Sequence, residues 1–109
     1  MKKLVIVLAL ALLSGVAAGC YRQDMRTVVF HVPRMGSAEC IKIIQDGLSA
    51  VEGIQSAQPD LGSRTIAVTY DSRKLSIKNI EYVITGAGFD VNDSKARPGT
   101  REKLPAACR

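Results

Sequence analysis

The pattern of apolar residues changes its period at Pro33. Before it, Val28, Phe30 and Val32 alternate with other side chains, as in a half-buried strand. After Cys40, apolar residues recur at the spacing of one helical stripe: Ile41, Ile44, Leu48 and Val51. The sequence therefore predicts a strand, a loop and a helix in that order, with Cys40 in the first turn of the helix.

Cys40 carries the most reactive side chain of this loop. Backbone N–H groups in the first turn of a helix lack partners within the helix, and the helix dipole is positive there. Both effects favour the thiolate, which is the form of cysteine that acts as a nucleophile and binds metals. Any chemistry of this chain is therefore expected at the loop from Pro33 to Cys40.

The later part of the chain predicts one more helix and three more strands. A short, weak strand covers Ile54–Gln58 and a clear strand covers Arg64–Tyr70. A second helix follows Ser76, and Phe89–Asn92 predicts a last short strand. The order β-α-β-β-α-β is that of the α+β ferredoxin-like sandwich, in which two helices cover one face of an antiparallel four-stranded sheet.

Residues 1–19 are expected to be an export signal rather than part of the fold. Lys2 and Lys3 form a basic start, Leu4–Leu13 is an unbroken apolar stretch, and small residues follow. This is the layout of a bacterial signal peptide, and the apolar stretch is short for a membrane span. The mature protein is therefore predicted to lie in the periplasm or cell envelope.

Cys20 stands directly after Ala-Gly, which resembles the lipobox of bacterial lipoproteins. The resemblance implies that Cys20 is lipidated and anchors the mature protein to a membrane. The alternative is ordinary cleavage after Ala18 or Gly19, which leaves Cys20 as a free thiol. In both cases residues 20–25 form a short polar linker to the domain.

The charge of the chain gives no sign of a nucleic-acid partner. Removal of Lys2 and Lys3 with the leader leaves thirteen basic and ten acidic residues, and these are scattered along the sequence. The chain also contains no tryptophan on which bases could stack. Neither a pair of acid/base carboxylates nor a Ser/His/Asp arrangement is recognisable, so we do not expect an enzyme.

The order of landmarks resembles the heavy-metal-associated (HMA) domain family. Met35, Ser37 and Cys40 occupy the positions of that family's Met-x-Cys-x-x-Cys motif. The resemblance extends over about residues 26–92 and places Phe89 at an aromatic position beside the metal loop. It implies a soft-metal-binding function like that of copper chaperones, the amino-terminal modules of copper-pumping ATPases and periplasmic mercury-binding proteins.

Ser37 departs from the family pattern because it replaces the first cysteine. A hydroxyl is a poor ligand for the soft metals that thiolates select. Serine is, however, a favoured helix N-cap, whose oxygen can accept a hydrogen bond from the N–H of residue 40. The resemblance also implies that Met35 packs beneath the loop rather than binding the ion.

Residues 93–109 have the composition of a flexible basic tail, with five basic and two acidic residues, yet they include Cys108. The sixteen residues from Asn92 to Cys108 could span about 50 Å, so Cys108 can reach Cys40. We therefore hypothesise that Cys108 supplies the second sulfur of a Cu(I) or Hg(II) site. The same reach allows a Cys40–Cys108 disulfide, and two Cys40 residues of a dimer could instead share one ion.

Two functions are favoured by these observations, and a thiol-redox function is less favoured because the chain has no Cys-x-x-Cys motif. The first is an exported metallochaperone-like or scavenging protein that binds a soft metal through Cys40 and Cys108. A metal-transporting membrane protein is then the expected partner. The alternative is a degenerate domain that has lost its metal with Ser37 and serves as a protein-interaction module.

Overall fold

The computed structural model describes residues 24–109. The predicted export signal, the lipidation at Cys20 and most of the linker therefore lie outside the described residues. Between residues 24 and 109, no helix is long and apolar enough to cross a membrane.

The elements follow the predicted order as far as the second helix. They are β1 (Met25–His31), α1 (Ala38–Ser49), β2 (Ile54–Asp60), β3 (Thr65–Asp71) and α2 (Ile77–Gly86). Two short 3-10 turns follow, at Arg101–Lys103 and Ala106–Cys108. The α+β ferredoxin-like prediction is thus confirmed in its arrangement of two helices and an antiparallel sheet.

The sheet has the strand order β1-β3-β2, so β3 is its central strand. Both pairings of β3 are antiparallel. Its residue Ile66 pairs with Phe30 of β1 on one side and with Pro59 of β2 on the other. A proline lacks the N–H that a central strand needs, and β2 tolerates Pro59 because it is an edge strand.

One face of the sheet forms the core with the apolar stripes of both helices. Phe30, Ile66 and Val68 are buried together with Ile44 of α1 and Ile84 of α2. On the other face, Val29 is 61% exposed, and Thr27 and Thr69 form a cross-strand hydroxyl contact of 2.8 Å. The strands therefore alternate between a packed and an open face, as the sequence period predicts.

The segment predicted as a fourth strand takes a different course, and the sheet of the described residues has three strands. Val91 forms an isolated antiparallel bridge to Ser94, and Asn92 adopts a left-handed backbone with φ 50°. The chain consequently turns back after Val91. Its contact with β1 is a hydrogen bond from Asn92 N to His31 O, 2.8 Å long, and one from His31 N to Asn92 Oδ1, 2.9 Å long.

Candidate metal-binding site

Cys40 lies in the first turn of α1, as predicted, and is fully buried. Ser37 is the N-cap of this helix: its Oγ accepts a hydrogen bond from Cys40 N at 3.4 Å. The same oxygen lies 3.2 Å from Cys40 Sγ. Ser37 therefore fills the predicted cap role and also contacts the sulfur.

Cys40 and Cys108 are joined by a disulfide. Their Cα atoms are 5.6 Å apart across a sequence separation of 68 residues. Of the arrangements that the sequence left open for these cysteines, the structure contains the disulfide. The carbonyl oxygen of Ala107 lies 3.7 Å from Cys40 Sγ, and this is a packing contact because a disulfide sulfur carries no proton.

Residues 93–109, which composition predicts to be flexible, pack against the domain in the structure. Arg97 N donates to Thr85 O at 3.1 Å near the end of α2, and the Arg97 guanidinium lies 3.8 Å from the ring centroid of Tyr82. Leu104 and Cys108 are almost completely buried. Burial of these two apolar side chains offsets part of the entropy lost when the segment is ordered.

Two glycines at the end of α2 allow this close approach. A Cβ added to Gly86 would overlap the guanidinium of Arg97, and one added to Gly88 would lie 2.9 Å from Leu104 Cδ1. Gly88 also has a φ of 105°, a conformation that other residues rarely adopt. The glycines that end the helix thus also form the surface on which the segment lies.

Asp90 links the segment 93–109 to the loop between β1 and α1. It accepts hydrogen bonds from Ala96 N and from the Arg101 guanidinium, both at 2.8 Å, and pairs with Arg34 at 3.8 Å. The Ala96 N–H lowers the pKa of the Asp90 carboxyl most; burial opposes this effect, while Arg101 and Lys95 add to the lowering. The carboxylate is therefore stabilised in its charged form. It contacts Arg34, which lies near Cys40 in the sequence, and Arg101, which lies near Cys108.

Met35 and Phe89 belong to the same buried cluster as Cys40, and both side chains are fully inaccessible. Met35 N donates to Val32 O at 3.1 Å in the turn that leaves β1. The two side chains lie in the hydrophobic core, so their observed role is packing beneath the loop.

Comparison with known proteins assigns the family. Residues 29–90 match the model of the heavy-metal-associated domain. The chain belongs to the HMA domain family. The resemblance noted in the sequence is thereby confirmed.

Individual HMA relatives are similar over about the same region. The copper chaperone CopZ of Staphylococcus haemolyticus is 29% identical over 63 residues, which are 58% of this chain and 93% of CopZ. A mercuric transport protein periplasmic component of Shewanella putrefaciens is 28% identical over 64 residues, 59% of this chain and 70% of that protein. The match to a "Probable copper-exporting P-type ATPase" of Archaeoglobus fulgidus covers 9% of its length at 30% identity.

Among solved structures, the chain is similar to oxidized MerP from Ralstonia metallidurans CH34. The TM-score is 0.60 at 26% identity, and the match covers 62% of this chain and 94% of MerP. The HMA fold therefore extends over nearly all of MerP, and all of residues 93–109 lie beyond the region of this chain that matches the HMA family model.

Within residues 24–109, no group of three or more His, Cys, Asp and Glu side chains is arranged to hold a metal ion. The soft donors that meet at the HMA loop are the sulfurs of Cys40 and Cys108. Oxidised to a disulfide, they are not thiolates. Reduced, they would provide two thiolates from residues 5.6 Å apart, a donor set that suits soft ions such as Cu(I).

The residues that sequence analysis missed are those that hold the segment in place, chiefly Asp90, Arg101 and Leu104. Each has an ordinary role on its own, as a turn carboxylate, a basic tail residue and an isolated apolar residue. One signal could have pointed to them. The apolar stretch Leu104–Cys108 at the end of a basic segment indicates that this end packs against something.

Proposed function

We propose that this HMA protein binds a soft metal ion, Cu(I) or Hg(II), between the thiolates of Cys40 and Cys108 after their disulfide has been reduced. One observation carries the proposal: the sulfur that position 37 lacks is supplied from position 108, directly beside Cys40. The site thus has two sulfurs, although only one comes from the motif loop.

The spacing of the two cysteines supports two-coordinate binding. With metal–sulfur bonds of about 2.3 Å, as for zinc thiolates, two sulfurs on opposite sides of one ion stand about 4.6 Å apart. Cα atoms 5.6 Å apart allow this separation by rotation of the two side chains. The copper chaperone and mercuric transport names of the relatives support the choice of ions.

The proposed setting is the cell envelope. The leader and the lipobox-like Cys20 support export and a membrane anchor. A disulfide supports an oxidising compartment, because such bonds persist outside the cytosol. The metal is then cargo rather than a catalytic group. A metal-transporting membrane protein would deliver or receive it, and no enzymatic activity is proposed.

The test is a titration of the full reduced chain with Cu(I) and with Hg(II) against a competing chelator. We expect one ion per chain and a loss of at least tenfold in affinity in both Cys40→Ser and Cys108→Ser, because each removes one of two ligands. Cys20→Ser is the matched control, since it removes a thiol outside this site. Loss in Cys40→Ser alone would contradict the role of Cys108 and indicate an ion shared between two chains.

A second candidate function is that of a protein-interaction module without metal. The burial of both sulfurs favours it, because a buried disulfide suits a structural crosslink. The same titration separates the two functions. A reduced parent that binds neither ion would leave the crosslinked interaction module as the supported function.

A further inference from the structure

We propose that the Cys40–Cys108 disulfide is a thiol–disulfide exchange centre with a fixed direction. An incoming thiolate attacks the sulfur of Cys108, and Cys40 departs as a thiolate. The substrate class is a thiol, either a small molecule or a protein dithiol. The exchange itself is independent of metal binding; only its consequence, the opening of a metal site, rests on the proposed function.

The surroundings of Cys40 make it the better leaving group. Its sulfur lies in the first turn of α1, where the helix dipole and free N–H groups stabilise negative charge. The Ser37 hydroxyl, 3.2 Å from Cys40 Sγ, can donate a hydrogen bond to the departing thiolate. In thiol–disulfide exchange, the sulfur whose thiolate is more stable leaves faster.

The local structure makes Cys108 the sulfur that can be reached. Both sulfurs are buried, so one of the two segments must move before an attack is possible. Cys40 is held within the twelve-residue helix α1, whose buried side chains include Ile44 and Leu48. Cys108 lies in a 3-10 turn whose hydrogen bonds are internal: Cys108 N donates to Pro105 O, and Arg109 Nε donates to Leu104 O. This turn can move as a unit without breaking a backbone hydrogen bond to the domain.

The exchange proceeds in two steps. In the first, the thiolate of the incoming thiol forms a bond to Cys108 Sγ, the Cys40–Cys108 bond breaks, and its electron pair stays on Cys40. In the second, another thiolate attacks the mixed disulfide at the incoming sulfur and releases Cys108 as a thiolate. The thiol donor supplies both electrons and is itself oxidised to a disulfide.

The rest of the segment keeps the released Cys108 near Cys40. Arg101 remains paired with Asp90 at 2.8 Å, and Leu104 remains buried beside Gly88. The four residues that follow Leu104, up to and including Cys108, reach at most about 14 Å. The two thiols are therefore confined to a small volume, in which they can re-form the disulfide or jointly hold an ion.

The direction of exchange can be read by peptide mapping of the full oxidised chain. Trypsin, which cleaves after Lys and Arg, places Cys40 in peptide 35–42, Cys108 in peptide 104–109 and Cys20 in a third peptide. After brief exposure to limiting reduced glutathione and an acid quench, free thiols are alkylated. We expect chains with glutathione on peptide 104–109 and an alkylated peptide 35–42. They should outnumber chains with the opposite labelling by on the order of tenfold. Equal labelling, or glutathione mainly on peptide 35–42, would overturn the proposal.

Two N-cap variants isolate the role of the Ser37 hydroxyl. Ser37 and Ser76 each accept a hydrogen bond from the backbone N–H three residues on, and Ser37 alone of the two contacts Cys40 Sγ. Ser37→Ala should reduce the ratio of glutathione on peptide 104–109 to glutathione on peptide 35–42 several-fold, whereas Ser76→Ala should leave this ratio unchanged. An equal effect of both would mean that helix stability, and not the hydroxyl contact, sets the direction.

Metal uptake is measured separately on the same preparations. With Cys20→Ser in the background, the oxidised chain should take up neither Cu(I) nor Hg(II), and the glutathione-reduced chain should take up one ion. If the mapping gives the expected excess and the reduced chain binds no ion, the exchange centre stands and the proposed metal function fails. Uptake of a full equivalent by the oxidised chain would overturn the gating of the site by the disulfide.

Discussion

At the scale of single residues, the proposed function makes Ser37 and Cys108 together the counterpart of one cysteine of the HMA motif. Ser37 retains the backbone function of its position by capping α1, and Cys108 places a sulfur beside Cys40. The two functions that a first motif cysteine could combine, capping position and sulfur donor, are thus separated by 71 residues of chain. This separation predicts that the cysteine can be moved from position 108 to position 37 without loss of metal binding.

A double variant tests this exchange. Ser37→Cys with Cys108→Ser restores two cysteines on the motif loop and removes the distant one. We expect it to bind one Cu(I) per reduced chain with an affinity at least equal to that of the parent, because both thiolates then come from one rigid loop. Competition titration with a Cu(I) chelator measures the affinity.

The control uses the other helix cap, as Ser76→Cys with Cys108→Ser. This variant has the same number of thiols but places the new one at α2, so it should bind at least tenfold more weakly. Similar affinities for the two double variants would show that thiol number rather than position determines binding.

Asp90 predicts an acid sensitivity. Its pKa is lowered in the folded state, chiefly by the Ala96 N–H. Its contribution to stability is therefore fully present above its ordinary pKa of 3.8 and is lost as the pH falls through the lower folded value. Asp90→Asn should lower the free energy of unfolding by about 1–3 kcal/mol at pH 7, and the difference from the parent should shrink below about pH 4.

Urea unfolding of parent and variant from pH 7 to pH 2.5 measures this difference. Asp71, whose pKa is also lowered, mainly by hydrogen bonds from Arg73, provides the matched control. Asp71→Asn should leave the residues 93–109 as resistant to proteolysis as in the parent, whereas Asp90→Asn should expose them. A pH-independent difference for Asp90→Asn would argue against the carboxylate charge as its cause.

At the scale of elements, the end of α2 and the segment 93–109 form one packing unit. Substitutions at two glycines with positive φ allow the free-energy cost of backbone strain to be distinguished from the cost of lost packing. Gly88, φ 105°, faces Leu104 and Thr100, whereas Gly99, φ 81°, has nothing within 4 Å of an added Cβ. Gly99→Ala should cost about 1–2 kcal/mol of unfolding free energy from strain alone. Gly88→Ala should cost a further 1–3 kcal/mol because it displaces Leu104.

Denaturant unfolding of the two oxidised variants measures both costs. Equal losses would mean that the segment yields freely to the added methyl group and contributes little packing energy. A larger loss in Gly88→Ala supports the packing unit.

The elements also show what sequence could and could not predict. Both helices, their serine caps and the clear strand β3 depend on local periodicity and side-chain type, and these were found. The course of Phe89–Asn92 was not found, because it depends on the left-handed backbone of Asn92 and on its hydrogen bonds to His31 of β1. The disulfide stayed one of several alternatives, because nothing local indicates a pairing across 68 residues.

At the scale of the whole molecule, the disulfide closes the chain from the first turn of α1 to the last 3-10 turn into one loop and leaves β1 outside it. In the chain-entropy account, crosslinking residues 68 apart removes about 4 kcal/mol of freedom from the unfolded chain. Reduction, or Cys108→Ser, should therefore lower the free energy of unfolding by about 2–4 kcal/mol. The domain should remain folded, because β1, β3 and both helices share one core.

Unfolding curves with and without a reductant measure this loss. The parent should shift to lower denaturant concentration on reduction, and Cys108→Ser should be insensitive to the reductant. Cys20→Ser should behave as the parent does. A parent whose curve is unchanged by complete reduction would show that the crosslink contributes no stability.

The contact between Asn92 and β1 bears on how the protein avoids aggregation. β1 is an edge strand of the three-stranded sheet, and an exposed edge can pair with a strand of another molecule. Asn92 accepts from His31 N through its side chain and donates to His31 O through its backbone, so both outward groups at that end are occupied. On this edge, an incoming strand could pair only beside Met25–Val29, so the part of β1 on which an intermolecular sheet could grow is shorter.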